Sequence, residues 1–126
     1  YPPLVLMAER CDLDRDPEQQ ASIATQLIAA GADLNGTDSN GATPLTMAAG
    51  SCPLGVVQAL LKSGISLTSA SKVGDTPLKR AIMENRVDVV GALLDAGVDP
   101  KKEPYNARAV ASDNKEIQAL LKKKRN

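Results

Sequence analysis

The sequence contains no histidine, no phenylalanine and no tryptophan, and only two tyrosines and two cysteines. Without histidine, the commonest general base and metal ligand is missing, so acid–base and metal chemistry lose their usual carrier. Aromatic side chains bury the largest area per residue, so a wide globular centre lacks its usual filling. Two cysteines are too few for a disulfide-dense scaffold. No apolar run approaches the roughly 18 residues that read as a membrane-spanning helix. No secretory signal is visible at the start, and an intracellular address is expected, cytoplasmic before nuclear.

What remains is aliphatic and charged. Hydrophobic residues make up 43% of the 126, enough for one domain with a core of Leu, Ile, Val and Ala. Such a core suits thin stacked layers better than a ball. Formal charge balances at 15 bases and 15 acids, but unevenly along the chain. Residues 1–66 hold three bases and seven acids (3 − 7 = −4), and residues 67–126 hold twelve bases and eight acids (12 − 8 = +4). That is a weak dipole along the sequence, not the field of a nucleic-acid binder.

The chain repeats itself. Thr43-Pro44-Leu45 recurs 33 residues later as Thr76-Pro77-Leu78. The apolar set Ile23, Leu27, Ile28 returns as Val56, Leu60, Leu61 and again as Val89, Leu93, Leu94, each step being 33 residues. Gly31, Gly64 and Gly97 keep the same step. Each part of the unit has a physical role. A threonine hydroxyl ahead of proline caps a free amide of a first helical turn, and proline at the first helical position loses no hydrogen bond. The first helix turns Leu45, Ala48 and Ala49 inward, then Leu78, Ala81 and Ile82 at the matching places. The second helix carries apolar residues at i, i+1, i+4 and i+5 (Val56, Val57, Leu60, Leu61), which is a helix face and not a strand. Glycine ends it. The segment that follows, "GADLNGTDSNGA" from Gly31, is rich in turn formers and reads as a finger between helix pairs.

A turn followed by two antiparallel helices in 33 residues, with Thr-Pro-Leu opening the first helix, resembles the ankyrin repeat. "GADLN" from Gly31 matches that family's step from helix to finger, while Thr46 and Lys79 stand where its signature has histidine. The resemblance implies an all-α solenoid of about four helix-turn-helix units with finger-like turns and atypical end units. Their expected bounds are roughly 1–34, 35–67, 68–100 and 101–126 within one domain. The first unit, opening at "PPLVLMAERC", carries an insertion in "CDLDRDPEQQ", with Asp16 as the expected cap of the restarted helix. The fourth is compressed at "DPKKEPYN", and Asp113 with Glu116 is expected to form a capping box for the last helix.

The same resemblance implies function. Ankyrin units bind protein partners through finger tips, the residue before Thr-Pro-Leu and the end of the first helix. Carried onto this chain, those positions are Ser39, Asn40, Ala42, Met47, Gly50 and Ser51 in the second unit. In the third they are Lys72, Val73, Asp75, Arg80, Met83 and Glu84. Leu6, Glu9 and Arg10 are the first unit's share, and Lys101 and Lys102 fall near the fourth finger. A monomeric protein-binding adaptor without catalysis, cofactor, metal or small-molecule substrate is expected. The alternatives are an inhibitor of an enzyme such as a kinase, and an electrostatic binder of nucleic acid or anionic lipid.

Three further signals have plain structural readings. Cys11 and Cys52 each lie eight residues after an equivalent proline. Stacked helices run about 8–10 Å apart, and a disulfide needs Cα atoms within about 7 Å, so free thiols are expected. Asp12, Asp14, Asp16 and Glu18 alternate like the start of a calcium loop but lack its later glycine and glutamate, which leaves a solvated loop. Lys122 to Arg125 place positive charge where a last helix ends, which its dipole favours. No aromatic residue interleaves these bases to stack nucleobases, and nucleic acid is a disfavoured partner.

Overall fold

In the computed structural model, residues 2–11, 15–103, 110–111 and 114–123 are described. Among them are seven α-helices, one 3-10 turn and no strand. The helices are α1 (Pro3–Glu9), α2 (Pro17–Ala29), α3 (Pro44–Ser51), α4 (Leu54–Lys62), α5 (Pro77–Met83), α6 (Val87–Asp95) and α7 (Lys115–Lys123). The 3-10 turn, Pro100–Lys102, follows α6. Two rows result: α1, α3 and α5 pack side by side, and α2, α4, α6 and α7 form the second row behind them. Among the described residues no helix is long and apolar enough to cross a membrane.

The caps follow from the local sequence. Thr43 Oγ1 accepts the Thr46 N–H at 3.3 Å and Thr76 Oγ1 accepts the Lys79 N–H at 3.2 Å, with proline at the first helical position in both. Asp16 caps α2 as expected, accepting the Glu18 N–H at 3.0 Å. Asp113 lies outside the described residues; Asn114 caps α7, its side-chain oxygen accepting the Ile117 N–H at 3.0 Å. Gly31 and Gly97, at φ 85° and 109°, take the left-handed turn that closes α2 and α6. The amides beyond them then fold back onto the last helical carbonyls, Ala32 to Leu27 and Val98 to Leu93.

Between the rows lies one continuous aliphatic seam. Leu45, Leu60, Leu78 and Leu93 are all fully buried and belong to a single cluster running from Leu4 to Leu121. Ala48, Ala49 and Ala81 are buried with them, small enough for adjacent helices to approach closely. At one place the register misleads. Ile23 occupies the position of Val56 and Val89, which are fully buried, yet it is 45% exposed, and Leu27 and Ile28 are partly buried. The repeat fixes which way a side chain points along its helix. It does not supply a neighbour, and α2 packs on α1 and α4 alone among the major helix contacts.

The cysteines also depart from expectation. Cys11 and Cys52 are joined in a disulfide, with Cα atoms 4.9 Å apart, and neither thiol is free. The spacing of helix axes does not govern these residues because neither sits within a helix. Cys11 comes after Arg10, the C-cap of α1, and Cys52 is itself the C-cap of α3 with extended backbone at φ −99° and ψ 154°. Past the last turn, both chains leave their axes and converge.

Candidate protein-binding face

Two fingers project from the solenoid, and each is built by one side chain that replaces missing backbone partners. In the first finger the Asp38 N–H donates to the Ala42 carbonyl at 3.0 Å. Its carboxylate accepts the Asn40 and Ala42 amides at 2.8 and 2.9 Å. In the second, Ser71 takes the same register position. Its N–H donates to the Asp75 carbonyl at 2.9 Å and its hydroxyl accepts the Asp75 N–H at 3.2 Å. Gly41 and Gly74, at φ 78° and 83°, make the tips. The fingers are then tied together: the Lys72 N–H donates to the Asn40 carbonyl at 2.8 Å, and Lys72 Nζ donates to the Ser39 carbonyl at 3.1 Å. Ser39, Asn40 and Lys72, expected from the sequence as contact positions, thus form one exposed ridge.

A second group gathers at the foot of the fingers. Asp75 receives Arg80 at 3.4 Å and Lys79 at 3.7 Å. The Arg80 side chain lies across Gly50, where an added Cβ would come within 2.8 Å of Nε. Arg80 Nε is buried there without a hydrogen-bond partner, while the side chain as a whole stays partly exposed. Glycine at 50 is therefore what lets the guanidinium stem lie flat. Of the other positions expected from the sequence, Val73 is 72% exposed and Met83 is 53% exposed, Ser51 and Glu84 are exposed, and Met47 is half-buried. Ala42 and Gly50 are buried, so they support this face from beneath instead of presenting surface. Leu6, Glu9 and Arg10 are exposed along α1, and Lys101 and Lys102 are exposed on the 3-10 turn.

Several structural ties escaped sequence reasoning. Arg86, just before α6, donates Nη1 to the Ala48 and Ala49 carbonyls at 3.1 and 3.2 Å, closing the end of α3 from the next helix pair. A charged donor suits that site, since the last carbonyls of a helix lack partners and carry partial negative charge. Burial pulls the Arg86 guanidinium below its ordinary pKa, and the nearby carboxylates of Asp88 and Glu84 work against that shift. Thr76 Oγ1, besides capping α5, donates to Glu103 Oε1 at 2.7 Å, and both residues are buried. Arginine and glutamate at these places have no counterpart one repeat away, so periodicity gave no signal for them. Of the acidic stretch, Asp16 serves as a cap, and Asp12 and Asp14 lie outside the described residues. Among the described residues no group of three Cys, Asp or Glu side chains could hold a metal ion. Lys122 is exposed on α7, and Lys124 and Arg125 lie outside the described residues.

Two rows of short helices, a shared seam and hydrogen-bonded fingers define a helical-repeat solenoid. The family model described as ankyrin repeats, in three copies, matches residues 16–104. The chain belongs to the ankyrin-repeat family. No curated protein matches it. Ankyrin repeats are in general protein–protein interaction modules, and the family is in general non-catalytic.

Proposed function

We propose that this chain is a single interaction domain of four ankyrin units, bounded roughly at 1–34, 35–67, 68–100 and 101–126, that docks a protein partner. It acts as a monomeric adaptor, without catalysis, through its fingers and first helices. The observation that carries this reading is that Val73 and Met83 are both more than half exposed, while a polar frame among the candidate contact positions is already held in place. Lys72 is tied to Ser39, and Arg80 is held by Asp75 over Gly50. Apolar side chains beside a fixed arginine supply what interface centres commonly use, and a fixed frame loses less entropy on binding. Methionine also adapts its shape to a partner surface.

The test is quantitative affinity capture from the native source with the wild-type domain and with a Val73→Asp, Met83→Asp double variant. Both substitutions fall on exposed positions, so circular dichroism is expected to be unchanged. Specific partners are expected to drop about tenfold or more, the size of effect that central interface residues carry. Undiminished capture by the double variant would remove the fingers and first helices from the proposal. An activity assay on any captured enzyme separates inhibition from scaffolding. At an intracellular address the disulfide would exchange with the thiols there, because the cytosol keeps most cysteines reduced.

A further inference from the structure

The two sulfurs of the Cys11–Cys52 bridge stand in different surroundings. Cys52 is fully buried in the seam, whereas Cys11 is partly exposed. Cys11 lines an open groove of about 430 Å³ between α1 and α2, together with Leu6, Met7, Arg10, Arg15 and Leu27. A small thiol can enter that groove, and two arginines on its walls favour the anionic thiolate form, which is the reactive one. In thiol–disulfide exchange, access helps decide which sulfur is attacked. Here access selects Cys11.

The bridge is also placed where its loss would be felt locally. It joins the chain just after α1 to the end of α3, across a sequence separation of 41, and α2 lies inside that loop. α2 has one buried residue, Ala24, against three in α4 and four in α6. Cys52, in contrast, stays anchored without the bond: its N–H donates to the Ala48 carbonyl at 3.0 Å, and Arg86 closes the same helix end. Opening the bridge therefore releases one side of the joint and leaves the other seated.

We propose that Cys11 is a thiol-exchange site, taking a soluble dithiol reductant as its substrate class, and that exchange there controls how firmly the first helix pair docks on the second. The attacking thiolate forms a bond to Cys11 Sγ and breaks the Sγ–Sγ bond, and Cys52 Sγ departs with the electron pair and takes up a proton. The second thiol of the reductant then attacks its own sulfur in the mixed disulfide, releasing Cys11 as a thiolate that is protonated in turn. Two electrons and two protons pass to the protein, and the reductant leaves as a cyclic disulfide. The same cyclic disulfide reverses the sequence. In the open form the walls of the groove between α1 and α2 loosen, while α3 to α7 keep their packing.

The test uses the whole chain in its oxidised form with dithiothreitol as the probe. Reduction is expected to add two hydrogens by mass and to let trypsin cut after Arg10 and Arg15 roughly tenfold faster, as local opening lets the backbone at these already exposed residues adapt to the protease. Hydrogen exchange in α4, α5 and α6 is expected to stay unchanged. Brief alkylation of the reduced protein should label Cys11 well ahead of Cys52. The variant Cys11→Ser, at a partly exposed position, should match the reduced protein without reductant and ignore dithiothreitol. Equal labelling of both cysteines, unchanged tryptic rates, or loss of helicity throughout on reduction would each overturn the proposal. So would a purified chain whose thiols fail to pair with oxidised dithiothreitol.

Discussion

α2 and α4 are the same helix in two consecutive pairs, and they live in different worlds. α4, nine residues long, buries Val56, Val57 and Leu60, because α2 lies on one flank and α6 on the other. α2 runs thirteen residues and buries Ala24 alone, although Ile23, Leu27 and Ile28 repeat the apolar pattern faithfully. Intrinsic pattern is therefore shared, and stabilisation is not. In a solenoid, stability is approximately a sum of unit terms and interfaces between neighbours, so a helix at the end of its row gains one interface fewer than an inner helix. The disulfide falls at this edge, linking α1's end to α3 and closing the loop that contains α2.

The largest test of this contrast is truncation of equivalent leucines. Leu60→Ala or Leu93→Ala removes a fully buried side chain and should cost ~2–5 kcal/mol. Leu27→Ala, at the position matching Leu60 but half-buried, should cost about 1 kcal/mol or less. Urea midpoints at unchanged slope report both. Comparable losses at Leu27 and Leu60 would break the comparison, since they would mean that the edge helix is packed as well as the inner one.

A smaller effect is expected where one pair is locked to the next by hydrogen bonds. Arg86→Ala withdraws a charged donor from the Ala48 and Ala49 carbonyls and should cost ~1–3 kcal/mol. Arg86→Lys should recover part of that, because an ammonium keeps the charge but cannot reproduce the planar fork. Thermal unfolding of the two variants beside Lys102→Ala, an exposed control on the 3-10 turn, measures the difference. If Arg86→Ala melts with the control, the Arg86 bonds add nothing, and the inner pairs are held by aliphatic contact and the hydrogen bonds between their fingers.

What could be read from the sequence divides along the same line. Positions whose role is set within one unit were legible: Thr43 and Thr76 cap, Leu45 and Leu78 point inward, and Gly31 and Gly97 end their helices. Each depends on a few neighbouring residues, and the 33-residue recurrence checks the assignment. Fates decided between units were not legible. Ile23 follows its register and lacks a neighbour. Arg86 and Glu103 reach across to another pair without a periodic counterpart. The equivalence of Cys11 and Cys52 was visible, but helix-axis spacing was the wrong ruler for residues at chain ends that converge. Of the candidate contact positions, Val73 and Met83 are exposed, while Ala42 and Gly50 are buried.

The smallest expected effect sharpens the contrast most, because a hydroxyl is placed at the same register position of two helices. Threonine at position 56 is nearly isosteric with the valine it replaces, so Val56→Thr leaves little cavity and mainly buries a hydroxyl, at a cost of ~1–3 kcal/mol. Ile23→Thr also introduces a hydroxyl, but into a site that water already reaches, so the hydroxyl keeps its hydration and only partly buried methylene contact is lost. Its effect should lie within ~0.5 kcal/mol, as for ordinary surface changes. Urea melts of the two single variants, both run with the disulfide intact, separate burial from sequence pattern. A cost at Ile23 equal to that at Val56 would show that position 23 is shielded from water, and the account of an edge helix stabilised from one side would have to be given up.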